Sequence, residues 1–255
     1  MLTILASYTM KKSIYYSVAI LLLLSSCVPS ESYLHFIFNI TDNFRAIISI
    51  KTSDDDEYCL STEDKITILS EDAESRVATV DEVCDYGEDA ICALYPSDAA
   101  ASLCGNVITT TLPSTSSYGK HIDTMMVAKV DNGTLNFESV ASTLSINIGV
   151  NSNQTHTLKS LTLISEERAI AGEMEINLAD GKISVSDAGS NRISIVDINM
   201  PIMTELQSFA MVVPSYSFAD GQLSIIAEFE DMTHRVVLPA VEFQPGVTYC
   251  VNHIF

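Results

Sequence analysis

The residue best placed to do chemistry is Cys27, which ends the run Leu24-Ser25-Ser26-Cys27 directly behind an apolar stretch. A thiolate at a newly cut N-terminus can be alkylated by a diacylglycerol donor, and the peptidase that exposes it needs small residues before the cut. Ser25, Ser26 and Cys27 meet both demands, with cleavage expected between Ser26 and Cys27. Met10-Lys11-Lys12 supplies a basic start and residues 18–24 an apolar run of about seven, too short to cross a bilayer that asks for about 20. The segment 1–26 is therefore expected to be exported and removed. Residues 1–9 carry no charge and add nothing such a signal needs, so Met10 is the expected true start. The alternative is an ordinary secretory signal whose apolar run happens to end at a cysteine.

The pattern resembles a bacterial lipoprotein lipobox. Acyl chains contribute about 0.8 kcal/mol per buried CH₂ and a single chain holds only marginally, so stable anchoring takes more than one, palmitate being typical. The membrane is thus an expected partner, through Cys27.

Charge narrows the remaining partners. The chain has 33 acidic against 13 basic residues, a formal net charge of −20. Such a field repels phosphate backbones, which argues against nucleic acid. The densest patch, Asp54-Asp55-Asp56-Glu57, has oxygen ligands for a hard cation but neither the alternating ligands nor the turn glycine of a calcium loop. It reads as a solvated surface, and no metal or other cofactor is expected.

Five further cysteines follow Cys27: Cys59, Cys84, Cys92, Cys104 and Cys250. An odd number outside the cytoplasm leaves at least one thiol unpaired or bridging chains, and no pair has the two-residue spacing of a zinc knuckle or redox motif. Any bridge is expected in the N-terminal half, where four of the five lie; buried free thiols are the alternative. The histidines, His35, His121, His156, His234 and His253, are scattered, and no nucleophile elbow or phosphate-cradling glycine loop is present. The chain is not expected to be an enzyme. It has no tryptophan for a sugar-stacking platform.

The elements that must position these residues are strands. Leu144-Ser145-Ile146-Asn147-Ile148 and Glu173-Met174-Glu175-Ile176-Asn177-Leu178 alternate strictly, as half-buried strands do. Further runs are 33–40, 47–50, 65–69, 125–130, 158–164, 182–185, 192–196, 209–213, 223–229, 236–238 and 249–254. Asn132-Gly133, Asp180-Gly181 and Asp220-Gly221 supply the positive φ of two-residue hairpin turns. Pro214 and Pro239 close strands, because proline cannot donate to a central ladder. Residues 71–83, with Val77, Val80 and Val83 at every third position, fit a helix or an irregular strand. The stretch 90–119 is rich in small residues, Ser, Thr and Pro. The fold class predicted is all-β, with two antiparallel β-sandwich domains, 27–135 and 136–255.

Ala93-Leu94-Tyr95-Pro96, Thr111-Leu112-Pro113, Met125-Met126-Val127-Ala128-Lys129, Leu135-Asn136-Phe137-Glu138-Ser139-Val140, Leu158-Lys159-Ser160-Leu161-Thr162-Leu163, Ile170-Ala171-Gly172-Glu173, Phe209-Ala210-Met211-Val212-Val213-Pro214 and Pro245-Gly246-Val247-Thr248-Tyr249 occur in the order seen in the fimbrillin family of the Bacteroidetes. Over roughly residues 90–255 the chain resembles that family. The resemblance implies two transthyretin-like sandwiches, export as an outer-membrane lipoprotein, display at the cell surface or in fimbriae, and a role in cell adhesion. The implied partners are other fimbrial subunits and host or microbial surface ligands. It also implies assembly by donor-strand complementation after a protease cut behind a basic residue, for which Arg45, between the 33–40 and 47–50 strands, is the positional candidate. The other reading of Arg45 is a plain surface-loop arginine. The chain runs out just after the 249–254 strand, without a spare donor segment, so a tip, anchor or accessory role is expected rather than a stalk. The alternative is a non-polymerising module that binds glycan or protein ligands.

Overall fold

A computed structural model describes residues 32–35, 47–52, 64–70, 73–79, 92–120, 124–131, 134–150 and 155–254. Ser26, Cys27, Arg45, the Asp54 to Glu57 patch, Cys59, Cys84 and the Asn132-Gly133 turn lie outside them. The described residues are all-β, built of mainly antiparallel sheets, as predicted. All of them but Ser32 belong to the body that spans Tyr33–Phe255.

One sheet, here called A, runs in the order β1 (Ser32–His35), β2 (Ile47–Thr52), β22 (Thr248–Ile254), β11 (Ser142–Gly149), β17 (Gln207–Val213). Sheet B runs β20 (Thr233–Val237), β19 (Leu223–Phe229), β12 (His156–Ser165), β15 (Arg192–Val196), β8 (Thr115–Ser117), with β16 (Met200–Ile202) also paired to β12. Leu144, Ile146, Phe209, Met211, Tyr249 and Val251 of A and Leu161, Leu163, Ile195, Ile225 and Ala227 of B belong to one buried core. Fully burying each large aliphatic side chain contributes about 1.5–3 kcal/mol.

Sheet C is β10 (Thr134–Ser139), β9 (Met126–Asp131), β5 (Cys92–Tyr95), β3 (Lys65–Ser70), β4 (Ala73–Thr79). Sheet D is β14 (Ile183–Val185), β13 (Gly172–Asn177), β7 (Val107–Leu112), β6 (Ser102–Cys104), and β18 (Ser217–Phe218) pairs with β21 (Val241–Glu242). Strand β3 is buried on both faces. Leu69, like Leu94 and Ile108, joins the main core, while Ile66 and Ile68 pack with Ala78, Ala93 and Ala128 in a second cluster. Ile66, Thr67, Ile68 and Leu69 are accordingly all buried, since a strand covered on both sides has no exposed face to alternate.

The structure decides or corrects several local expectations. Of the two readings of 71–83, the irregular strand holds: residues 73–79 form β4, antiparallel to β3 with Ile66 opposite Ala78 and a shift in register between Ile68 and Ser70. The stretch 90–119, for which no strand is predicted, carries β5, β6, β7 and β8. In β7 every second residue, Ile108, Thr110 and Leu112, is buried, so a Thr-rich composition hid a genuine alternation. Asp180-Gly181 and Asp220-Gly221 do not make two-residue turns. Only the glycines have positive φ, 68° and 82°, and each lies in a longer connection. A two-residue type I′ turn needs positive φ at both central positions.

Other readings stand. Spacing changes from three to two along Leu158, Leu161 and Leu163, and the ladder to β19 is bulged between Leu158 and Ser160, where one extra residue returns all three leucines to the inner face. Gly172, at φ 120°, permits a close approach: a Cβ there would stand 3.0 Å from the Cα of Gly189. Gly189 is tighter still, since its own Cβ would meet the Ala171 carbonyl oxygen.

Sheets C and D are tied by one polar knot. The buried Thr67 hydroxyl donates to the Asp98 carbonyl at 3.0 Å and accepts from the Asp98 N–H at 2.8 Å. The Asp98 carboxylate accepts from the buried Thr110 hydroxyl at 2.7 Å, from the Thr111 N–H at 3.1 Å and from the Ala100 N–H at 2.9 Å. A single side chain thus satisfies three donors, one of them in the core. Asp98→Ala is expected to lower unfolding free energy by about 1–3 kcal/mol, the cost of stranding a buried donor. Asp98→Asn, which keeps an acceptor oxygen, should cost less; urea unfolding of the two variants measures the difference.

Candidate functional site

The residues singled out for chemistry in the sequence, Ser26, Cys27 and Arg45, lie outside the described residues, but the strands on either side of Arg45 do not. β1 and β2 form one margin of sheet A, with β1 outermost and β2 against β22. The β2 ladder is antiparallel, from Ile47 opposite Asn252 to Lys51 opposite Thr248. On its other side β22 runs parallel to β11, from Thr143 opposite Thr248 to Gly149 opposite Ile254. β22 is therefore an interior strand, with both backbone edges engaged.

Its inward residues explain the hold. Tyr249 and Val251 are buried in the A/B core, whereas Asn252 faces out and its side-chain oxygen accepts from the Asn147 amide at 2.7 Å. The Tyr249 ring stands edge-on to Phe243 at 4.8 Å, and Phe243 continues through Phe218 to Tyr216 at 6.1 Å and 6.4 Å. The guanidinium of Arg168 lies 5.0 Å from the Tyr216 ring centre, a cation–π contact. The Tyr249 hydroxyl donates to the Glu242 carbonyl and accepts from the Gln244 N–H at 3.0 Å. Burial holds its ionisation above the usual tyrosine range, so it stays a donor.

A second feature is a cleft of about 530 Å³ beside edge strand β10. Val127, Val140 and Leu178 give it apolar lining, and Lys129, Glu138 and Asp180 bring charge to it. Hydrogen bonding from Lys182, whose ammonium is 3.0 Å away, holds the Asp180 carboxyl below its usual range. The volume falls within the range of about 300–1,000 Å³ typical of small-ligand sites. Three of the motifs that carry the fimbrillin resemblance, at 125–129, 135–140 and 245–249, contribute to this lining.

Cys92 and Cys104 are free thiols. Burial pushes the Cys92 thiol up to about 11, which makes it inert, while Cys104 is exposed. Cys250 is buried on β22. The histidines, scattered in sequence, are less so in space: His156, His234 and His253 come to one end of the A/B sandwich. Inward alternation after Tyr249 and Val251 was the available signal for His253. Among the described residues no group of three or more His, Cys, Asp or Glu is placed to hold a metal ion.

No protein-family model and no curated protein matches the chain. Solved structures do. A candidate cell adhesion protein from Bacteroides ovatus aligns over 76% of this chain and 83% of its own, at 16% identity and a TM-score of 0.51. A second such protein, from Bacteroides uniformis, covers 76% and 87% at 16% identity and a TM-score of 0.49. A fimbrial protein from Bacteroides vulgatus covers 72% and 77% at 11% identity and a TM-score of 0.46. At such identity the first likeness establishes shared fold.

Tyr249→Phe is expected to lower stability by about 1–3 kcal/mol, because it keeps the ring packing but strands the Gln244 N–H and the Glu242 carbonyl. Thermal unfolding checks the magnitude. Hydrogen exchange should place the loss in β22 and the 242–244 segment.

Proposed function

We propose that this chain is a cell-surface, fimbrillin-type adhesion protein, anchored in the outer membrane through an acylated Cys27, and that it serves as a tip, anchor or accessory subunit. Support for the anchor is the Leu24-Ser25-Ser26-Cys27 sequence behind a short apolar run and a basic start. Support for the adhesion role is the ordered set of family-like motifs, together with a fold shared with a candidate cell adhesion protein. The reading is non-catalytic and calls for no cofactor.

The observation that carries the assembly part is the edge position of β1. A cut after Arg45 would separate β1 from β2 and leave the outer backbone groups of β2 without their neighbour, and such a row of N–H and C=O groups is what an incoming strand recognises. β22 is paired on both sides and so is not itself an available donor. The chain's subunit partners would be other fimbrial proteins, and host or microbial surfaces its ligands.

The two-module division, 27–135 and 136–255, belongs to the same proposal. Sheet C comes from the first segment, except that β10 runs across the boundary into the second. β1 and β2 complete sheet A, β8 extends sheet B, and β6 and β7 pair into sheet D beside β13 and β14. The modules are thus proposed as interlocked, with strands lent across the boundary.

The cleft beside β10 favours a second reading, a non-polymerising module that binds a glycan or protein ligand, with Lys129, Glu138 and Asp180 as its polar contacts.

Replacing Cys27 by Ala should shift the protein from the membrane to the soluble fraction and abolish incorporation of labelled fatty acid. A variant that stays membrane-bound and labelled would refute the anchor.

Cleavage by a trypsin-like protease after Arg45 should make the purified protein oligomerise or bind a synthetic donor strand, and Arg45→Ala should block the change. Cleaved protein that stays monomeric and ignores donor peptides would point to the binding module.

A further inference from the structure

The end of the A/B sandwich away from Tyr249 carries an unusual concentration of imidazoles. His253 follows Tyr249 and Val251 on the inward side of β22. On the facing sheet, His234 shares the inward side of β20 with buried Val236. Phe229 stands between two imidazoles, edge-on to His234 at 6.1 Å and to His156 at 6.3 Å. His156 Nδ1 lies 2.9 Å and 3.2 Å from the two carboxylate oxygens of Asp231, and His234 Nε2 lies 3.2 Å from the Met232 sulfur.

We propose that this end is a proton-operated latch: protonating the imidazoles gathered there loosens the last residues of β22, and with them the seat of β2. The proposal concerns stability and dynamics and does not depend on the assembly reading above.

The three histidines are not equivalent. His156 has a carboxylate beside it, and hydrogen bonding from His156 holds the Asp231 carboxyl below its usual range. A charge on His156 is therefore compensated. His253 is half-buried, and burial together with the charge of His234 holds its ionisation below the usual histidine range. Charge there is penalised twice, by lost hydration and by like-charge repulsion.

Several other ionisable groups on the surrounding described elements are engaged elsewhere. Glu228 accepts from Ser160, Arg235 is paired with Glu166, and Lys159 donates to Asn199. Glu230 and Asp231 sit in the exposed β19–β20 turn, and Glu205 in the exposed connection between β16 and β17. β11, β16 and β17 contain no ionisable side chain; on β22 the others are Tyr249 and Cys250, β2 carries Lys51 opposite Thr248 at the far end of β22, and β1 carries Tyr33 and His35.

A histidine whose folded pKa lies below its unfolded value contributes stability that is intact above the unfolded pKa of about 6.5 and is lost as pH falls through the folded value. The segment that bears the penalty is well defined. His253 stands opposite Ile148 of β11, and its neighbour Asn252 stands opposite Ile47, the first residue of β2. Loosening at 252–254 therefore frees the start of β2 before it disturbs the aromatic end of β22.

The test uses the full chain. The melting temperature should fall as pH is lowered from about 7.5 to about 5, and amide exchange in 248–254, corrected for its intrinsic pH dependence, should accelerate over the same interval. His253→Asn should reduce both responses. His234→Gln, at a less constrained site, should raise the pH at which His253 titrates by NMR, and it keeps the test available if His253→Asn fails to fold. A melting temperature that does not fall, an acid response unchanged in the variants, accelerated exchange that spares 248–254, or a His253 titration unmoved by His234→Gln would overturn the latch.

Discussion

Much of this fold depends on seating β22 in the middle of sheet A. Parallel neighbours cannot be joined by a tight turn and need a long crossover. β22 runs parallel to β11, and the chain between them supplies β12, β15, β16, β19 and β20, all of sheet B except β8. The crossover is thus the opposing layer of the sandwich. Sheet A closes only when sheet B is in place, and the residues that close it, Tyr249 and Val251, are those that pack against B's inner face.

Buried polar groups then fix how the layers meet. Apolar side chains attract without direction, so a core of leucine and isoleucine alone would tolerate small slips between sheets. Hydrogen bonds do not. The Asp98 carboxylate bonded to Thr110 and Thr111, the Ser142 hydroxyl donating to the Gln244 carbonyl at 2.7 Å, and the Tyr216 hydroxyl accepting from the Val185 N–H at 2.7 Å each join elements distant in sequence. Each is satisfied in one arrangement only, because a buried donor without its acceptor costs more than the bond contributes when formed.

The two ends of β22 are chemically opposite. Near Tyr249 a run of edge-on aromatic rings ends in a cation–π contact, all compatible with burial at any ordinary pH. Near His253 imidazoles gather, whose charge depends on pH. On the latch proposed above, a strand held by aromatics at one end and lying among imidazoles at the other has a built-in direction in which to fray. The margin that feels it first is β2, the strand immediately after Arg45.

Much of this was legible in the sequence, and the legible part was what local periodicity encodes. Alternation marked β11 and β13, and proline marked where β17 and β20 stop. The motif at Cys27 pointed to export and acylation without reference to any fold. Tertiary structure alone decided the rest. β6, β8, β16, β18 and β21, two or three residues long, have too few positions to show a period and exist because a neighbour offers them hydrogen bonds. Residues 73–79 became strand rather than helix because β3 supplied a partner, and Thr110 became a core residue because Asp98 satisfied its hydroxyl. His156, His234 and His253 carry no joint signal along the chain. They meet because β12, β20 and β22 bring one end of each strand to the same end of the sandwich, and that convergence is set by long-range strand pairing, which local sequence does not encode.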